Sequence, residues 1–177
     1  MKKYFRIIVL GIFAITYGCN SDTKPTLNAE ESFLPMQIGN YWKNDDQNYV
    51  KIVDTLRIQG NLYYKFYSIT GGDAIGILYL RIDNEQNLVE AAPEYPDYKY
   101  LHAKFNADLG STFWTINDQS VNDFKVTFTK KETSLRTFEF QRVYHPNATD
   151  KHSVTYIKGQ GWTGYKEIKI SGNIFKF

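Results

Sequence analysis

The sequence predicts an all-β domain, and three observations support this prediction. Aromatic residues make up 16% of the chain, with 14 Tyr and 12 Phe but only 2 Met, and aromatic side chains favour strands over helices. Apolar and polar residues alternate in several segments, which is the pattern of a strand with one buried face. Glycine-asparagine pairs separate some of these segments and are typical of tight hairpin turns.

The first eighteen residues have the layout of a secretory signal peptide. Three basic residues lie within the first six positions, an apolar run follows over residues 7–15, and the small residue Gly18 ends the segment. The apolar run is far shorter than the roughly 20 residues that a helix needs to cross a bilayer. Residues 1–18 are therefore predicted to be removed on export, and no integral membrane span is expected.

Cys19 follows this segment directly and is the only cysteine of the chain. Residues 16–19 (TYGC) resemble the lipobox of bacterial lipoproteins, in which the cysteine becomes the lipidated first residue of the mature protein. The resemblance implies palmitate-type acyl chains on Cys19, and several such chains hold a protein durably on a membrane. An ordinary thiol near a soluble amino terminus is the alternative. A lone cysteine allows no internal disulfide, so packing alone must stabilise the domain.

Residues 19–32 are polar and suit a flexible tether, whereas residues 33–177 are predicted to form a single β-domain. The mature chain of 159 residues has the size of one ordinary domain. The formal net charge of +2 includes the three cationic side chains of the signal, so the mature chain carries −1. A near-neutral domain without basic runs lacks the electrostatic footprint of a nucleic-acid-binding protein, and that class is excluded.

Alternation and turns together predict about eight to ten short antiparallel strands and at most one short helix. Apolar side chains at 124, 126 and 128 alternate with polar ones, and residues 98–109 are the segment that could hold the helix. Two Gly-Asn pairs predict hairpins that join residues 55–59 to 62–69 and residues 166–171 to 174–177. Many short strands with regular turns give a barrel, a half-barrel or a sandwich, and the sequence leaves these three open.

Residues 33–42 (FLPMQIGNYW) are similar to the opening of a large group of exported lipoproteins common in Bacteroidota. Three later motifs resemble further motifs of that group in the same order, at residues 58–65 (IQGNLYYK), 109–114 (LGSTFW) and 156–162 (YIKGQGW). The resemblance spans most of the mature domain. It implies an exported, β-rich domain beside a lipid anchor, and it implies no particular activity.

Four aromatic residues are the candidates for ligand binding: Tyr95, Tyr98, Tyr100 and Trp162. The three tyrosines lie close together in a proline-interrupted segment, and amphipathic aromatic rings can pack on ligands or stack on sugar rings. Trp162 lies beside glycines at an expected strand end. The alternative is structural, with the tyrosines covering one end of the domain and Trp162 packed in the core.

Glu90, Glu94 and Asp97 surround these tyrosines and raise the possibility of catalysis. Two carboxylates held about 5 to 9 Å apart can hydrolyse glycosides. Proximity in sequence does not establish that geometry, so an exposed loop is the simpler interpretation, and no catalytic residue is assigned.

Residues 159–164 match the dinucleotide-binding pattern G-x-G-x-x-G letter for letter. That loop works by leading from a strand into a helix whose amino terminus faces the pyrophosphate. Here only thirteen residues follow, and they are predicted to form a strand, a turn and a strand. We therefore expect glycines at a tight turn or bulge beside a packed Trp162.

His145, Asp150 and His152 carry side chains that can bind a metal and lie close in sequence. Their spacing fits no face of a helix or strand, and no residues that would orient them are evident. We expect a solvated loop here, with no metal site and no cofactor.

These observations together predict a non-enzymatic lipoprotein of the cell envelope, at the outer membrane, with its periplasmic or surface face left open. Its β-domain is expected to bind a hydrophobic ligand, a glycan or an envelope protein. The alternatives are a structural or assembly subunit of an envelope complex and, last, a glycan hydrolase that uses the segment 90–97.

Overall fold

The structure, a computed structural model, describes residues 28–146 and 150–177. It confirms the predicted all-β class, because the described residues form thirteen antiparallel strands and no α-helix. The predicted signal peptide, Cys19 and the tether up to residue 27 lie outside the described residues. The strands are β1 (Tyr41–Asp45), β2 (Asn48–Ile58), β3 (Asn61–Thr70), β4 (Ala74–Ile82), β5 (Asn87–Ala92), β6 (Tyr95–Lys104), β7 (Thr112–Trp114), β8 (Phe124–Lys131), β9 (Leu135–Arg142), β10 (Lys151–Ile157), β11 (Gly161–Trp162), β12 (Glu167–Ile170) and β13 (Asn173–Lys176).

Within the described part of the chain, the strands form two antiparallel sheets. The larger sheet has eight strands in the order β13-β12-β1-β2-β3-β4-β5-β6, and the smaller has five in the order β11-β10-β9-β8-β7. Neither sheet closes on itself over these residues, so the architecture is consistent with a sandwich. The strand number exceeds the predicted eight to ten partly because β7 and β11, three and two residues long, are too short to show an alternating pattern.

The core lies between the two sheets and is mainly aromatic. Phe128 and Phe138 stack with ring centroids 4.6 Å apart, and Phe105 meets Tyr156 edge to face at 5.1 Å. Each fully buried side chain of this size contributes roughly 1.5 to 3 kcal/mol to stability. The high aromatic content of the sequence is therefore used to fill the space between the sheets.

Residues 98–109, the segment that could hold a short helix, are largely strand. Most of this segment belongs to β6, which pairs with β5 along its length. Pro96 also lies inside β6, although proline lacks the N–H that a strand interior needs. It is tolerated because β6 is the edge strand of the larger sheet. The sequence allowed at most one short helix, and none forms in this segment because the pairing of β6 with β5 outweighs its weak helical periodicity.

The last residues of the predicted tether contact the domain. Ala29–Glu31 forms a short 3₁₀ helix, and Ser32 is buried. The Gly159 N–H donates to the Ser32 carbonyl at 2.8 Å, and Lys158 Nζ lies 2.5 Å from Glu31 Oε2. Contacts with the domain therefore begin at about residue 29. Among residues 28–146 and 150–177, no helix is long and apolar enough to cross a membrane.

Candidate functional site

An open cleft of about 370 Å³ lies between the two sheets, where β3 and β4 of the larger sheet face β10 and β11 of the smaller. We call it the intersheet cleft. Its volume falls within the range of small-molecule sites, roughly 300 to 1,000 Å³. Its apolar walls are formed by Val50, Phe66, Leu78, Val154, Trp162 and Tyr165.

Trp162 is the central wall of the intersheet cleft, and its position is fixed by other aromatic rings. Its ring meets Trp42 edge to face at 5.0 Å and Phe66 at 5.5 Å. Trp42 is fully buried, and its indole N–H donates to the Gln160 carbonyl at 2.8 Å. Because these partners leave little freedom of rotation, the wall is preformed rather than induced by a ligand.

Gly161 brings β11 into contact with Trp42. The residue adopts a φ of +86°, and a Cβ at this position would lie 2.8 Å from Trp42 Cζ2. Such a contact is shorter than carbon atoms tolerate, so only glycine fits here without a shift. The neighbouring Gly159 contacts the Glu30 backbone in the same way, because a Cβ there would lie 3.3 Å from the Glu30 carbonyl oxygen. These glycines serve packing, in agreement with the turn expected from the sequence.

Serine and threonine residues form the polar part of the intersheet cleft lining. Four residues with hydroxyl side chains contribute to the lining: Ser68, Ser153, Thr155 and Thr163. Ser68 lies on the same face of β3 as Phe66, whereas Ser153 and Thr155 alternate with Val154 on β10. The Thr155 hydroxyl lies 3.0 Å from that of Thr137 on β9. Gly76 lies opposite Ser68 on β4, where a Cβ would lie 2.5 Å from Ser68 Oγ. Glycine at position 76 therefore leaves room for the Ser68 hydroxyl at the cleft wall.

The phenol groups of two tyrosines near the cleft have raised pKa values. Burial raises the pKa of Tyr165, which lines the cleft. Tyr156 is paired with Trp162 in the sheet register, and its burial raises its pKa far above the usual value, although the Trp162 side chain opposes this shift. Among the lining residues that the structure describes, there is no Asp, Glu, Lys, Arg or His. The cleft is therefore uncharged and suits an apolar group.

Of the four aromatic residues that the sequence singled out, the structure brings only Trp162 to the cleft. Tyr95 and Tyr98 lie on the edge strand β6 with 71% and 48% of their surfaces exposed. Tyr100 is half-buried, and its ring packs on His102 with centroids 4.6 Å apart. Burial raises the pKa of Tyr100, and a hydrogen bond with Thr115 lowers it by less. The three tyrosines do not line the cleft.

The three carboxylates near these tyrosines lie in different surroundings. Glu90 Oε2 lies 2.8 Å from His102 Nε2, and both side chains are about a quarter exposed. Asp97 Oδ1 accepts a hydrogen bond from Gln59 Nε2 at 2.6 Å. Glu94 is exposed in the turn between β5 and β6. Two of the three are thus engaged by side chains of the domain itself.

A second concavity, of about 450 Å³, lies at the end of the five-stranded sheet. We call it the basic hollow; its lining is Phe124, Arg142, Asp150, Lys151 and His152. The His152 ring stacks on Phe140 with centroids 5.0 Å apart. Among residues 28–146 and 150–177, no group of three or more His, Cys, Asp or Glu side chains could hold a metal ion.

Sequence patterns miss the other cleft residues because these come from distant strands. Phe66 and Leu78 are register partners on β3 and β4, so alternation along each strand places them on one face. Alternation cannot reveal that the smaller sheet leaves this part of that face uncovered. The glycine pattern at residues 159–164 was the available signal, because it marks Trp162.

No protein family, curated protein or solved structure matches this chain.

Proposed function

We propose that this chain is a lipid-anchored protein of the cell envelope, at the outer membrane, whose β-domain binds a small and largely apolar molecule in the intersheet cleft. The observation that carries the proposal is the preformed, uncharged wall of Phe66, Leu78, Trp162 and Tyr165. A mainly apolar lining with a few polar residues is typical of sites that bind small molecules. Binding without catalysis is proposed, because the cleft offers no activated nucleophile or acid-base pair among its described lining residues.

Replacing Leu78 with arginine is expected to weaken ligand binding about tenfold or more. Leu78 faces the cleft, and a cation placed against Phe66 and Trp162 would fill the space and lose hydration without gaining a partner. The measurement is fluorescence titration with the apolar dye N-phenylnaphthylamine, using the chain from residue 20 to residue 177.

Ile77→Arg is the matched control for this substitution. Ile77 is the preceding residue of β4, lies on the opposite face and is 48% exposed, compared with 37% for Leu78. The control should bind the dye as the wild type does. Equal binding by both variants, or no binding by the wild type, would show that the cleft is not a ligand site.

Cys19→Ala is expected to release the protein from the membrane. Without the thiol there is no site for acyl chains, and the remaining polar tether has no affinity for lipid. The measurement is the intact mass of the protein in the membrane and soluble fractions of its host. The wild type should begin at an acylated Cys19. An unmodified mass for the wild type would remove the anchor and the envelope location together.

A further inference from the structure

The side chains of the basic hollow continue the core-facing rows of the smaller sheet. Phe124 is the register partner of Arg142, and His152 is that of the buried Phe140. Since side chains two residues apart on a strand share a face, Arg142 follows Phe140 on the core-facing side of β9. Arg142 and His152 therefore point to the same side of the sheet as the core, at an end where the described residues leave a hollow.

The guanidinium of Arg142 packs on an aromatic ring and forms no ion pair with the residues that the structure describes. It lies over the Phe124 ring, 5.3 Å from the centroid. The ion pairs formed among residues 28–146 and 150–177 do not include Arg142, and Asp150 of the same hollow is not in ion-pair contact with it. Lys151, in contrast, pairs with Glu139 at 2.8 Å.

The lining of the basic hollow suits an anion. Arg142 is the cationic side chain of the hollow that forms no ion pair among the described residues, since Lys151 pairs with Glu139, and the ring of His152 adds a nitrogen that can donate. Arginine presents several N–H donors in a planar fork that matches carboxylate and phosphate oxygens. A ring beneath the guanidinium orients this fork and lowers the entropy lost on binding.

The basic hollow and the intersheet cleft are neighbours along β10. His152 lines the first and Val154 lines the second. The two residues are separated by one position on the strand, so they lie on one face about 7 Å apart. A ligand whose apolar chain lies in the cleft can therefore place its terminal head group in the hollow.

We infer that the ligand of this protein is an amphipathic anion, such as a fatty acid, whose apolar chain lies in the intersheet cleft and whose anionic head is held by Arg142. This inference rests on the proposed function and specifies its ligand class. It assigns the uncharged cleft and the basic hollow to the two parts of one molecule.

The test uses the full chain, transferred from detergent into lipid nanodiscs of phosphatidylcholine. Two photoreactive probes are compared, a diazirine derivative of dodecanoate and the corresponding derivative of dodecanol. Labelled peptides are mapped by mass spectrometry, and the probe concentration that gives half-maximal labelling of the β10–β11 peptides is measured. Using one probe on several variants removes the effect of probe partition into the bilayer.

Arg142→Gln is expected to raise the half-labelling concentration of the dodecanoate probe about tenfold, which is the loss of one charge-assisted interaction. Labelling by the dodecanol probe should not change. Arg142→Lys should recover part of the loss, because it keeps the charge without the fork. Arg57→Gln is the matched control, since Arg57 is exposed at the opposite end of β2 from the cleft residue Val50, and it should leave both probes unchanged.

The test distinguishes a wrong head group from a wrong binding site. If both probes label the cleft and Arg142→Gln does not weaken the dodecanoate probe selectively, the anionic head is wrong and the apolar site of the proposed function remains. If neither probe labels the cleft peptides of the wild type, the proposed function itself is wrong, and the ligand class is rejected with it.

Discussion

Gly161→Ala should destabilise the domain by about 3 kcal/mol. The residue adopts a φ of +86°, a conformation that costs an L-residue roughly 1 to 2 kcal/mol. Its added Cβ would also lie 2.8 Å from Trp42 Cζ2 and 3.0 Å from Leu34 Cδ1. Trp42 cannot move aside easily, because it is fully buried and its N–H is bonded to the Gln160 carbonyl. Overpacking of this kind typically costs a further 1 to 3 kcal/mol.

Gly164→Ala is the matched control, and it separates backbone strain from the contact with Trp42. Gly164 has a similar φ of +91°, but a Cβ added there would have no atom within 4 Å beyond its immediate chain neighbours. The control should lose only about 1 kcal/mol. Both losses in the free energy of unfolding are measured by urea denaturation of the chain from residue 20 to residue 177, with tryptophan fluorescence as the signal. Equal losses for the two variants would show that Gly161 does not hold β11 against Trp42.

The strand pattern was predictable because it depends on neighbouring residues alone. Phe124, Val126 and Phe128 do alternate along β8, and both predicted Gly-Asn hairpins exist. Each turn lies one residue earlier than expected. In the first hairpin, Gln59 and Gly60 form the turn with φ values of +48° and +78°. Asn61 therefore begins β3 instead of forming the turn. The glycine, which occupies the second position of the turn, thus predicts that a hairpin exists but does not fix the exact position of its turn.

The opposite face of β3 shows where pattern reasoning ends. Alternation predicts that Tyr63 faces solvent, since Tyr64 and Phe66 face the core. Tyr63 is nevertheless only 1% exposed, because it forms a second cluster with Ile58 and Ala91 on the outer side of the larger sheet. This cluster joins residues of β2, β3 and β5, and contacts across several strands cannot be predicted from the alternation along one of them. The intersheet cleft was hidden from the sequence for the same reason.

Asp123→Ala should lower the free energy of unfolding by about 3 kcal/mol at neutral pH. The Asp123 side chain is 1% exposed, and its carboxylate accepts hydrogen bonds from the Ile116 N–H at 3.0 Å, the Gln119 N–H at 3.2 Å and the Thr115 hydroxyl at 3.2 Å. Removing the acceptor leaves these donors without a partner, which costs roughly 1 to 3 kcal/mol for each group that stays buried. The loop between β7 and β8 would loosen, and with it the backbone bond that joins Leu101 to Thr115 across the two sheets.

The contribution of Asp123 should also depend on pH. Burial on its own raises the pKa of this carboxyl, but the backbone N–H groups of Ile116, Asn117 and Gln119 together lower it below its usual value of 3.8. A folded-state pKa below the unfolded one stabilises the protein above the unfolded value, and this stabilisation is lost as the pH falls through the folded value. The difference between the wild type and Asp123→Ala should therefore be full at pH 7 and shrink below about pH 4.

Urea midpoints at pH 7 and at about pH 3 measure this dependence. Asp118→Ala is the control, because Asp118 is an exposed acid of the same loop that accepts one hydrogen bond, from the Ser120 N–H at 2.9 Å. It should change the free energy of unfolding by about 0.5 kcal/mol or less at either pH. A loss for Asp123→Ala that stayed constant from pH 7 to pH 3 would mean that packing of the side chain, and not its charge, holds the loop.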